Sequence, residues 1–224
     1  MRLGVFVALA LASCAKDDPE PRTGSAIEHG RALFEDPKTS SSPSNAFACS
    51  TCHVVDAADP ARTRPGYALA GVTARTSFWG GQRVDLLEAI DDCRLSFMDA
   101  PRPWSKDDED ARAIYAYLAS ISGPADAQSF DVEPRDPPVS NDKTRGESVY
   151  AKACALCHGT FREGAGRLVS FAPALPIPPP ADRSLYVRRV RRGRFASTTG
   201  SMPPFSREAL SDDDLSALLA YLGY

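Results

Sequence analysis

Two pentapeptides share one form: Cys49-Ser50-Thr51-Cys52-His53 and Cys154-Ala155-Leu156-Cys157-His158 are both C-x-x-C-H. On a helical backbone, positions i, i+3 and i+4 lie on one face, so two thiols and an imidazole can address the same flat ligand. Thiols in this spacing add to the vinyl groups of a haem, and the imidazole that follows becomes a ligand of its iron. Four cysteines in paired knuckles could instead hold zinc. That reading leaves the histidine after each pair without a role. A disulfide inside C-x-x-C would close almost no loop and so stabilise little. Two covalently bound haem c groups are the expected cofactors, with Cys49, Cys52, Cys154 and Cys157 as attachment points and His53 and His158 as iron ligands.

The sixth iron ligands follow by elimination. The chain has only three histidines. His29 is the one outside the pentapeptides, so bis-histidine ligation of both irons is impossible. Beyond the initiator, the methionines are Met98, 45 residues after His53, and Met202, 44 residues after His158. Such matched distances point to a His/Met iron in each half. Ser201-Met202-Pro203-Pro204-Phe205 would also hold its thioether on a stiff loop. Met98 has a rival in Cys93, the surplus cysteine, which follows Leu86 and Ile90 at helical spacing and so faces inward. Cys93 is either a small buried hydrophobe or a thiolate competing for the iron five residues before Met98, and both readings stand. Comparing Ile90-x-x-Cys93-Arg94 with Val190-x-x-Gly193-Arg194 places Gly193 opposite Cys93. In Phe78-Trp79-Gly80-Gly81-Gln82-Arg83, Trp79 is expected against the haem edge and Arg83 as a donor to a propionate. No side chain is assigned acid–base or nucleophilic work.

The elements that position these residues also repeat. Glu28–Phe34 and Thr144–Tyr150 each read as a helix with a glycine followed by an aromatic. A loop rich in serine and proline, around Pro37–Asn45, lengthens the first copy. After each methionine comes an amphipathic run with an acidic start, Lys106–Ser120 and Ser211–Tyr224. Their Tyr117-Leu118 and Tyr221-Leu222 fall 19 and 20 residues past the methionines. Carboxylates at Asp107–Asp110 and Asp212–Asp214 suit the positive ends of helices. This is an internal duplication. The reading is an all-α chain of two tandem helical domains, residues 26–122 and 140–224. A proline-rich linker at 123–139 joins them. Modules this small bury little surface of their own, so a covalent haem would supply much of each core.

The remaining segments concern address and charge. Met1–Arg2 followed by the apolar Leu3–Ala12 is a secretory signal in pattern, too short to span a membrane. Leu11-Ala12-Ser13-Cys14 resembles the lipobox of bacterial lipoproteins. That resemblance implies a signal peptide over residues 1–13, a lipid anchor on Cys14 and a polar tether over 14–25, on the periplasmic side of a bacterial membrane. Ala15, with no aspartate there, leans to the outer membrane. The 224 residues are 43% hydrophobic and carry a net charge of only −3, which excludes wholesale disorder and gives no basis for nucleic-acid binding. The charge is divided, however. Residues 26–122 hold 10 basic and 14 acidic side chains, whereas residues 140–224 hold 12 and 8. Six arginines lie within Arg183–Arg194. They could dock an acidic redox partner, neutralise propionates, or form a solvated helix face.

Taken together, residues 26–224 resemble a dihaem c-type cytochrome of two class I cytochrome c domains. The resemblance implies a proline carbonyl accepting the proximal histidine's proton, with Pro65 and Pro173 as the positions that match. The pattern Cys93-x-x-x-Phe97-Met98 is similar to one in sulfur-oxidising dihaem cytochromes of the thiosulfate dehydrogenase type, in which a cysteine can ligate the catalytic haem. The expected function is an anchored carrier of single electrons between redox protein partners. The alternative is an oxidoreductase acting on a sulfur compound or peroxide at the first haem.

Overall fold

The structure, a computed structural model, describes residues 23–55, 65–66, 68–121, 123, 130–164, 166, 174–175, 182–194 and 202–224. The expected signal segment, Cys14, most of the tether and Pro173 lie outside the described residues. Among these the chain is all-α, with isolated β-bridges and no strand. In chain order the helices are α1 (Thr23–Glu35), α2 (Cys49–Cys52), α3 (Leu86–Phe97), α4 (Glu109–Ser120), α5 (Lys143–Ala153), α6 (Ala155–His158), α7 (Arg183–Arg192) and α8 (Asp212–Leu222). None of the described helices is long and apolar enough to cross a membrane.

Two helix crossings organise the molecule: α1 on α4, and α5 on α8. Each is built on a glycine. A Cβ on Gly30 would fall 2.0 Å from the Ala113 carbonyl oxygen and 2.8 Å from the Tyr117 Cβ; on Gly146, 2.0 Å from that of Ala217 and 2.7 Å from the Tyr221 Cβ. One turn further, Phe34 tilts against Tyr117 at 5.4 Å and Tyr150 against Tyr221 at 5.6 Å, both at 50°. The glycine-aromatic helices and the Tyr-Leu pairs seen in the sequence are thus the two sides of the same close approach. Glycine allows the backbones to touch, and the paired rings fill the space beside them.

Caps explain where the helices start. Asp85 accepts from the amides of Leu87 and Glu88 ahead of α3. Asp182 does so from Ser184 ahead of α7, and Ser211 from Asp214 ahead of α8. Glu109 and Asp110 open α4, and Asp212–Asp214 open α8, as the charge pattern anticipates. Aligning α3 and α7 by their aspartate caps corrects the register read from sequence. Cys93 then falls opposite Val190 and not Gly193. Gly193 ends α7 with φ +62°, where a Cβ would fall 2.4 Å from the Met202 carbonyl oxygen, whereas α3 continues to Phe97. The same alignment pairs Arg94 with Arg191, each buried and nine residues after its cap.

The described part of the expected linker is tied to the second half. Residues 130–138 run without helix along the second half. There Arg207 pairs with Asp131 at 2.7 Å and Arg183 with Asp136 at 2.8 Å, and the Ser216 hydroxyl donates to the Pro138 carbonyl. This strap covers α8, whose buried residues lie all round the helix. At the start of the strap, Phe130 meets Trp79 of the first half edge-on, ring centres 5.7 Å apart.

Candidate functional site

Both pentapeptides fold as helical turns. The His53 amide donates to the Cys49 carbonyl at 2.9 Å and the His158 amide to that of Cys154 at 2.8 Å, which gives the shared face that the spacing requires. The first turn opens on a cleft of about 1350 Å³, counted out to its mouth. Cys49, Cys52, His53, Cys93 and Met98 all stand in its wall among apolar side chains, including Phe34, Leu69, Ile90 and Leu118. Met98 is buried, with 4% of its surface exposed. Pro65 also lines the cleft, and Gly66 lies so close to His53 that a Cβ would come 2.5 Å from Nδ1. Segment 65–66 therefore covers the imidazole edge where the resemblance places a proline carbonyl. In the second half, Cys154 and Met202 pack against the same core cluster, built from Tyr150, Val187, Leu215 and Leu219. Gly166 stacks on Cys157 as Gly66 does on Cys52, each amide donating 3.1 Å to that cysteine's carbonyl.

A flat, apolar group joined through neutral thioethers fits these walls. Burial pushes the Cys49 and Cys157 thiols up to about 11 and that of Cys154 to about 12. Among the described residues no three histidine, cysteine or carboxylate side chains converge as they would around a metal ion, and the five cysteines are free of disulfides. Burial likewise drives the Cys93 thiol far above its ordinary value, the neighbouring Cys52 and Cys49 adding to the effect.

Trp79 stands in the cleft wall, its backbone at φ +52° at the start of the Trp79–Gly81 turn. Arg83 does not. Asp92 takes its guanidinium at 2.7 and 3.0 Å, and the side chain leaves the wall to Arg75 and Arg94. Asp92, in the second turn of α3, holds it instead. His29 is exposed and bonds Asp110. The arginine run of α7 is divided in use: Arg183 holds Asp136, Arg191 is buried against Asp212, and Arg192 faces Glu133. Arg188, Arg189 and Arg194 are left exposed.

Three features escaped the sequence reading. The serine loop folds back on the first methionine segment, Ser42 and Ser44 donating to Asp99 at 2.7 and 3.0 Å. Arg94 and Arg191 each hold the chain after a methionine. And Pro203 and Pro204, which directly follow Met202, line the cleft of the first half together with Phe130. A wall of one site is therefore continuous with the loop of the other.

Comparison with known proteins identifies the second half. Residues 141–222 match the family model for cytochrome c oxidase, cbb3-type, subunit III. Residues 141–222 are thus similar to a c-type cytochrome domain. A domain of this kind carries covalently bound haem c, which agrees with the helical C-x-x-C-H turn and the apolar core around it. Among solved structures, the chain is similar to a thiosulfate dehydrogenase from Marichromatium purpuratum in its as-isolated form. The identity is 21% over 93% of this chain, with a TM-score of 0.45. The chain spans about half, 48%, of that protein's length.

Proposed function

We propose that this cytochrome carries two haem c groups and moves single electrons between redox partners from a lipid anchor on the periplasmic side of a bacterial membrane. The observation that carries the reading is the first cleft, where Cys49, Cys52, His53 and Met98 share one apolar wall in the half that lies outside the family match. The haem irons would each take up and release one electron. The chain's own part is to hold and to shield. Cys49 and Cys52, and Cys154 and Cys157, fix each macrocycle; His53 and His158 take the proximal side. Met98 and Met202 would supply the second ligand to each iron, which would leave no open position for a substrate and favour a higher potential. Trp79 and Phe130 keep water from the first cleft, and Pro203–Pro204 bring the second methionine loop to its edge. Exposed Arg188, Arg189 and Arg194 give an acidic partner a docking face. A diacylated Cys14 would anchor the tether. Cys14→Ser is expected to shift the protein from the membrane fraction to the soluble periplasm, and a variant that stays with membranes would refute the anchor.

A second reading rests on Cys93, which shares the cleft wall with Met98. If its thiolate held the first iron, Met98 would be free to leave and the site could act on a sulfur compound or peroxide. The two readings separate in the oxidised protein. Under the carrier reading, Met98→Ala removes the first of two methionine–iron charge-transfer contributions, while Cys93→Ala leaves both in place. A low-spin signal of the first haem that changes with Cys93→Ala alone favours the oxidoreductase.

A further inference from the structure

Arg191 has no exposed side-chain surface, and all that it holds lies beyond Met202. Its Nη1 donates to the carbonyls of Phe205 at 3.2 Å and Leu210 at 2.6 Å, and its Nη2 to Asp212 at 2.7 Å. One residue earlier on α7, the Val190 carbonyl accepts the Phe205 amide at 2.9 Å. On the other side of Met202, its amide and carbonyl pair with those of Arg194 at 2.8 and 2.7 Å. The short stretch Met202–Phe205 is thus pinned at both ends, to Arg194 just past α7 and to Val190 within it, with two prolines between the pins. Asp212 in turn is held by Arg207, at 2.9 Å, which also grips Asp131 of the strap.

The first half repeats the device at the matching position. Arg94 lies over the Trp104 ring at 3.7 Å and bonds Asp91 at 2.7 Å, and Asp91 accepts the Trp104 amide at 3.0 Å. The Arg94 carbonyl receives the amides of Met98 and Ala100. In both halves a buried arginine, nine residues past an aspartate cap, grips the chain that leaves the methionine.

We propose that Arg191, braced by Asp212, is the positioning residue that keeps Met202 on the second haem iron. The inference rests on Met202 being that iron's axial ligand, as proposed above. A thioether is a weak ligand, and an added ligand such as imidazole binds only in the fraction of molecules whose methionine loop has swung away. Its apparent affinity scales with that fraction. Buried hydrogen bonds from a charged donor hold the loop closed, so their loss enlarges the open fraction by about tenfold or more.

The test is an imidazole titration of the oxidised, haem-loaded, full-length protein, followed through its methionine–iron charge-transfer band. The steps for the two haems are assigned with Met98→Ala and Met202→Ala. In Arg191→Met the second-haem step is expected at about tenfold lower imidazole, with the first-haem step unmoved. Asp212→Asn, which leaves the arginine and its carbonyl bonds in place, is expected to move the same step in the same direction by a smaller factor. It decides the matter if Arg191→Met does not accumulate as a haem protein. Unmoved second-haem steps, or equal movement of both haems, would overturn the proposal, since general loosening of the fold would not select one iron. A parent protein that shows no band from Met202 would instead remove the ligand assignment itself, and the proposal with it.

Discussion

Met202→Ala is expected to lower the potential of the second haem by on the order of 0.1–0.3 V and to abolish its methionine–iron band, leaving that of Met98 in place. Thioether ligation favours the reduced iron because sulfur donates weakly and carries no charge. The size of the effect also depends on what replaces it. The Met202 loop lies between two prolines and the buried Arg191 clamp, and the surrounding core of Leu215, Leu218 and Leu219 is at most 2% exposed. No other described histidine or methionine stands in that core, so water is the available substitute, and a water ligand stabilises the ferric state. A redox titration followed at the two haems separately reads this directly. A second-haem potential that stays within a few tens of millivolts of the parent would mean that Met202 is not its ligand.

The helix crossings give the largest expected effect on stability. An alanine in place of a glycine inside a helix ordinarily gains about 1 kcal/mol from propensity. At Gly146 the sign reverses. The added Cβ would meet a backbone carbonyl oxygen at 2.0 Å and the Tyr221 Cβ at 2.7 Å, neither of which can swing aside as the end of a flexible side chain could. Gly146→Ala must push α5 off α8 and open the Tyr150–Tyr221 contact, at a cost of about 3 kcal/mol. For a domain of this size that lowers the melting temperature by roughly 10–20 °C. Gly30→Ala is expected to do the same to the first half, since its geometry is the same to within 0.1 Å at the nearest atom. Thermal unfolding of the haem-loaded protein measures both. A rise in melting temperature for either variant would contradict the packing described.

These two predictions also mark what the sequence could show. Cysteine and histidine spacing, methionine count and the glycine-aromatic repeat were legible because each is local and tied to a fixed helical geometry. The all-α class follows from that repeat, whereas the packing of first on last helix is seen only in the structure. Long-range partners were not legible. Arg83 was expected at a propionate, but Asp92, nine residues on in the second turn of α3, takes it, a contact visible only once α3 is placed. The six arginines of Arg183–Arg194 read as one basic patch, yet helical rotation turns Arg191 inward and leaves Arg188 and Arg189 outside. The Cys93–Gly193 pairing failed for a related reason. Matching arginines in sequence put the two helices three residues out of step, and their aspartate caps set the true register. Of the linker, composition revealed the prolines but not the aspartates at 131 and 136 that strap it to the second half.

The central claim is that both halves hold a haem of the same kind, although the cytochrome family match at residues 141–222 lies in the second. The most direct measurement is the number of haems bound per chain, taken from the alkaline pyridine spectrum against protein mass and compared with the Cys49→Ala/Cys52→Ala variant. Two covalent haems in the parent and one in the variant, each with a methionine–iron band when oxidised, is the result this account predicts. One haem in both proteins would contradict it.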